Sequence, residues 1–186
     1  QQVSSAASDV YKRQDLKFIG MQIIIEGLAL AAFSMLKSIT KDPLLKQLLH
    51  YVIRDEARHV TFGINYLEDY VKTLSQDEIN DRANFAYEAC VISRERLINT
   101  KSEQRFLKMT ESEARDFTLS TSSFAMFRNF LFSRVIPNLS RIGLLTDEVR
   151  PKFDALGLLE YEQAPDDFEC DWAELKKPLE SVSYTH

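Results

Sequence analysis

Glycine and proline are scarce, five of each in 186 residues, or about 5% of the chain against a typical ~12%. So few turn residues exclude a sandwich or barrel of many short strands and leave helices as the main element. Cysteine is nearly absent. Cys90 and Cys170 have no Cys or His partner at zinc spacing, which excludes a disulfide framework and a cysteine-ligated metal and fits a reducing, cytoplasmic setting. No run of Lys or Arg exceeds two, and the net charge is −5, so neither a nucleic acid nor an anionic membrane surface is the expected partner. Apolar and charged residues are present in globular proportion, 45% and 27%, which excludes general disorder.

Residues 1–14, QQVSSAASDVYKRQ, show no helical periodicity and resemble translated sequencing-adapter text, as does the closing SVSYTH. The expected biological segment is then 15–180, cut from a longer gene upstream, downstream or both. One all-α domain is expected over 15–160, with 161–186 a loose tail holding Pro165, Asp166, Asp167 and the single Trp172. No internal repeat or second-domain boundary is visible.

Phe18 to Leu36 reads FIGMQIIIEGLALAAFSML, with one charge, Glu26, and one amide, Gln22. A helix apolar on nearly every side belongs deep in a core or in lipid. Its length suits a bilayer, but a mid-span carboxylate would cost roughly 2.5–3.5 kcal/mol on insertion, so the core is expected and no membrane. Asp42 as N-cap and Pro43 at the first helical position open a second helix to about Lys72. Its expected inward face is Leu45, Leu49, Val52, Glu56, His59, Gly63 and Tyr66. A capping box, Ser75-Gln76-Asp77-Glu78, starts a third helix to about Thr100, with Ile79, Ala83, Ala86, Cys90 and Leu97 inward. A second box, Thr110-Glu111-Ser112-Glu113, starts a fourth that packs Phe117, Phe124, Phe127 and Leu131 until Pro137 ends the pattern. A shorter helix is expected after Thr146, stopping near Gly157.

Glu56-Ala57-Arg58-His59 places a carboxylate and an imidazole three residues apart on one helix face. Glu26, inside the apolar helix, would either lose its charge or need a cation. In an antiparallel hairpin turning at Lys41, Glu26 and Glu56 each stand about 22 Å from the turn at 1.5 Å per residue, and so at one height. Two hard carboxylate oxygens and an imidazole inside a helical bundle are a ligand set for iron or manganese with positions open to oxygen or substrate, and zinc is not excluded. The plainer alternative makes Glu56 and His59 surface residues, since Glu-x-x-His steps are common; the matched Glu26 favours metal.

Arg54-Asp55-Glu56-Ala57-Arg58-His59, with Glu26 upstream in an apolar helix, resembles the second metal-binding half of ferritin-like di-iron carboxylate proteins. It is most similar to the group of ribonucleotide reductase small subunits, the ligand-binding oxidases like them, and amine N-oxygenases. The resemblance spans mainly residues 15–72; beyond Lys72 only helical character agrees. It implies a ferritin-like bundle and two iron ions, with manganese as the alternative at one site. By resemblance Glu26 would bridge or cap an iron, Glu56 would bridge the pair, and His59 would ligate one iron. Asp55 would accept a hydrogen bond from a histidine of the other half. Oxygen activation, an electron donor and a small apolar or amphipathic substrate of unknown identity are further implications.

The family's first Glu and first Glu-x-x-His are missing, because the only histidines are His50, His59 and His186. Three of the usual six ligands are thus present, and the chain alone is expected to be inactive. Truncation would put the missing helix pair upstream; a symmetric homodimer, each chain giving one half, is the alternative. Two other functions compete, a ferritin-like ferroxidase or iron store and a metal-free helical interaction module. Roughly a hundred residues after the second half favour the enzyme over a compact store. Glu88 shares a face with Asp81, Asn84 and Glu95 and reads as solvated; His50, two steps off the ligand stripe, reads as a surface or interface residue. Tyr66 and Tyr70 read as core with a redox role as the alternative, and the Phe-rich fourth helix as packing with a substrate channel as the alternative. Gly63 either lets helices approach or leaves room above a metal.

Overall fold

The computed structural model describes residues 14–165, which form helices, turns and short links with no strand among the described residues. The protein is all-α over this range. Helix α1, Gln14–Ile39, contains a π-helical segment, Ile19–Ile25, after which the Glu26 N–H donates to the Met21 carbonyl five residues back. Each such turn holds one residue more than an α-turn, so the helix start is rotated against the rest by about 100° per added residue. Ile19, Ile23 and Ile24 thereby join Gly27, Leu30 and Ala31 on the buried side. The other side carries exposed Met21, Ile25, Leu36 and Ile39. Deep burial all round is therefore corrected: α1 is long and apolar enough to cross a membrane, yet one face packs inside the domain and the other is open.

Helix α2, Pro43–Val71, starts where the Asp42 carboxylate accepts the N–H groups of Leu44 and Leu45 at 2.8 and 3.0 Å. It runs antiparallel to α1. Phe18 meets Tyr66 with ring centroids 4.6 Å apart, Gln22 lies against Gly63, and Glu26 reaches His59. Each pair is centred on Asp42 or on the Asp42–Pro43 bond, later than a midpoint at Lys41. Glu26 therefore stands opposite His59, with Glu56 one turn closer to the loop. A Cβ on Gly63 would lie 2.7 Å from Gln22 Cβ, so close helix approach is the role this glycine has.

The buried residues of α2 are Leu49, His50, Ile53, Ala57, Val60, Gly63, Ile64, Leu67 and Val71, rotated by about one residue from the expected face. Leu45, Val52 and Glu56 are half-buried at its edge, whereas His59 and Tyr66 are exposed. Turning Ile53, Val60 and Ile64 inward removes more apolar surface from water than turning Glu56 and His59 would, at about 25 cal/mol per Å². His50 is not a surface residue. It is buried, and its Nδ1 accepts from the Lys37 ammonium at 3.1 Å.

Helix α3, Gln76–Arg96, opens on the Ser75–Glu78 capping box and buries Ala83, Ala86 and Cys90; these small side chains let it lie close to the π-helical segment of α1. Buried Asp15 joins Arg82 at 2.8 Å and fixes the start of α1 to α3. Glu88 is exposed, as expected. Helix α4, Lys101–Leu107, is an element beyond those expected from the sequence, and the Asn99 side chain accepts the Lys101 N–H at its start, 3.2 Å. The expected fourth helix is divided into α5, Glu111–Ser120, α6, Ser122–Phe130, a 3-10 turn, Leu131–Ser133, and α7, Val135–Arg141. Thr121 is extended between the first two, and Phe117 is exposed. Pro137 does not end the pattern. It sits buried in the first turn of α7, where a backbone N–H has no helical partner to lose.

Helix α8, Arg150–Ala155, precedes a last 3-10 turn, Leu159–Tyr161. Gly143 and Gly157, at φ +82° and +68°, close α7 and α8: each donates three residues back while the next N–H reaches five back, the paired bonds of a Schellman end. Phe132, Val135, Ile136, Leu139, Leu144, Phe153 and Leu158 complete the core against the hairpin. Gln14 belongs to α1; the rest of the adapter-like start, together with Cys170, Trp172 and most of the tail, lies outside the described residues.

Candidate metal centre

Glu26 is the first residue after the π-helical segment of α1, and Glu56 and His59 lie near the middle of α2. The structure brings the three together. One ligand atom from each lies within 4.8 Å of the other two, with His59 Nδ1 at 3.4 Å from Glu56 Oε2 and 3.9 Å from Glu26 Oε2. The Glu26 side chain is 19% exposed and His59 59%, so the cluster is sunk on the core side and open outward.

Glu26 Oε2 is buried and accepts no hydrogen bond among the described residues. Such an oxygen costs roughly 1–3 kcal/mol. Burial pushes the Glu26 carboxyl above the usual carboxylate range, His59 acts against this, and the neighbouring Glu56 adds to it. A cation between the three side chains would relieve both the desolvation and the carboxylate repulsion. Two hard oxygens with one borderline nitrogen suit iron(II) or manganese(II), and zinc is compatible.

Asp55 is not brought into the cluster; it is exposed, 3.1 Å from Arg58 and 3.6 Å from Arg54. Tyr66 is not core. It lies in an aromatic row with Phe18, stacked on Tyr70 at 5.9 Å, and Phe62 meets the same Phe18 at 5.8 Å. The Tyr70 hydroxyl is pushed upward by burial, then by Asp15. Phe62 is exposed on α2; its step of three from His59, matching the step from Glu56 to His59, is the one signal of it in the sequence. Comparisons with family models, curated proteins and solved structures find no match.

Proposed function

We propose that Glu26, Glu56 and His59 form one half of a di-iron centre in a ferritin-like, oxygen-activating non-haem oxidoreductase. The observation that carries this reading is the meeting of all three ligand atoms within 4.8 Å. Buried Glu26 Oε2, without a hydrogen bond among the described residues, supports the fit to a cation. Glu26 and Glu56 would hold the ion from two helices, and His59 would present Nδ1, the atom turned toward both carboxylates. Iron, when bound, supplies one-electron chemistry toward dioxygen, with manganese at one position as the alternative. Buried Gly27, Ala57 and Val60 beside the ligands keep water from the inner side. An electron donor and a small apolar or amphipathic substrate complete this reading, in a cytoplasmic setting.

Anaerobic loading with iron(II), followed by metal analysis after desalting, tests it. With only half of the usual ligand set, the wild-type chain retains less than one iron per chain after desalting, while Glu56→Ala and His59→Ala retain none. Groups that merely orient a ligand typically account for about 10–100-fold in affinity, so removal of a ligand should exceed about 100-fold. Glu88→Ala, on the solvent face, should retain iron as wild type does. Equal retention by His59→Ala would remove the imidazole from the site.

A further inference from the structure

We propose that Arg94 and Arg128 form a binding site for a phosphate dianion, free or as the phosphoryl end of a small molecule, where α3, α6 and the end of α8 meet. The site is independent of the metal centre. Arg94 stands in the last turn of α3 and Arg128 in the last turn of α6. Arg94 Nη2 donates to the Asn129 side-chain oxygen at 3.3 Å and to the Leu156 carbonyl at 3.2 Å, which draws the three elements together. Arg128 lies over the Phe124 ring, its guanidinium carbon 5.8 Å from the centroid.

Both arginines are half-buried, and each keeps a buried Nε that donates to nothing among the described residues. Neither makes an ion pair among them. Glu95, beside Arg94 in the chain, is exposed and taken by Arg115. Burial, then the charge of Arg128, holds the Arg94 guanidinium below its usual range, with Glu95 acting against them. The two like charges therefore act on each other across the contact of α3 with α6. Arg82 and Arg150 are placed differently, with Asp15 at 2.8 Å and Glu162 at 2.6 Å.

Helix ends account for part of the placement. The carbonyl end of a helix carries about half an elementary negative charge, against a full positive charge on each guanidinium. The ends of α3 and α6 thus attract the two side chains without neutralising them. An anion of about two charges would balance the pair and accept from the buried donors. A carboxylate offers one charge and one edge, enough for one guanidinium fork. A phosphate dianion offers more charge and more acceptor oxygens, enough for two forks arriving from different helices. Arg94 is fixed by its two acceptors and Arg128 by the aromatic face, so little side-chain freedom remains to be lost on binding.

Isothermal titration calorimetry on the desalted chain with inorganic phosphate, at ionic strength matched with chloride, tests this. Wild type should bind phosphate saturably with Kd on the order of 1 mM or tighter, and its Tm should rise with phosphate and not with chloride. Arg128→Gln breaks no hydrogen bond among the described residues. It should bind about tenfold to hundredfold more weakly, the usual loss for a charge-assisted hydrogen bond. Its Tm in chloride should equal or exceed that of wild type, because a like charge is gone. Arg94→Lys keeps the charge but gives up the fork, and should bind about tenfold more weakly. Glycerol 3-phosphate separates the two sources: binding as tight as inorganic phosphate or tighter assigns a phosphoryl end, and weaker binding assigns the free ion. Succinate spreads the same charge over two separate carboxylates, and tighter binding of it than of phosphate would overturn the choice of phosphate. No saturable heat from either phosphate, or Arg128→Gln binding like wild type, would overturn the site. A lower Tm for Arg128→Gln in chloride, with no response of either chain to phosphate, would leave the arginines as helix-end cations alone.

Discussion

Gly63 sets two effects against each other. Alanine there would gain about 1 kcal/mol of helix propensity, which on an open helix face would stabilise the protein. Its Cβ, however, would sit 2.7 Å from Gln22 Cβ, an atom attached directly to the α1 backbone, and overpacking of this kind costs about 1–3 kcal/mol. Gly63→Ala should lower Tm in a thermal melt and weaken iron retention, because α1 must move away from α2. Glu26→Gln should do the reverse to stability. Its carboxylate is held in a partly desolvated place, so the amide should stabilise the metal-free chain by about 1 kcal/mol in a denaturant titration while abolishing metal retention. Destabilisation of the metal-free chain by that substitution would mark Glu26 as structural. Glu26 is legible in the sequence as the one charge of an apolar stretch, and Glu56 with His59 as a step of three. His50 is not, because its partner Lys37 stands on the other helix and spacing along α2 carries no trace of it.

Helix starts were legible wherever one side chain makes them, as at Asp42, Ser75 and Thr110. Interruptions decided by packing were not: the extended Thr121 turns back on the Thr118 carbonyl and makes no side-chain cap for the helix after it, and nothing in IGMQIII announces a π-helical turn. The last turn is held by a different device. Glu162 takes both Arg150 guanidinium donors at 2.8 and 2.6 Å and the Ser140 hydroxyl at 3.1 Å, tying Leu159–Tyr161 to α7 and α8. The hydrogen bonds from Arg150 hold its carboxyl below the usual range, against a smaller push from burial. A depressed carboxylate contributes stability above its unfolded value, about 4.3, and loses that contribution as pH falls through its lowered folded value. Glu162→Gln should therefore destabilise by about 1 kcal/mol at neutral pH. Urea titrations of variant and wild type should converge in acid; a constant gap would assign the effect to packing.

At the scale of the molecule, an antiparallel hairpin is covered on one side by α3 and the C-terminal helices and open on the other. The all-α class followed from scarce Gly and Pro, but the open side did not, since an apolar residue in α1 reads alike whether it faces protein or water. Asp15–Arg82 and the contacts of Phe153 and Leu158 join residues far apart in the chain. The three ligand residues, by contrast, all come from one helical hairpin. That difference sets an order of events. Contacts closing short loops form with the smaller entropy loss and dominate fast folding, so Glu26, Glu56 and His59 can meet before the C-terminal layer docks. During synthesis the cluster would leave the ribosome already assembled, exposed to whatever metal the surroundings hold.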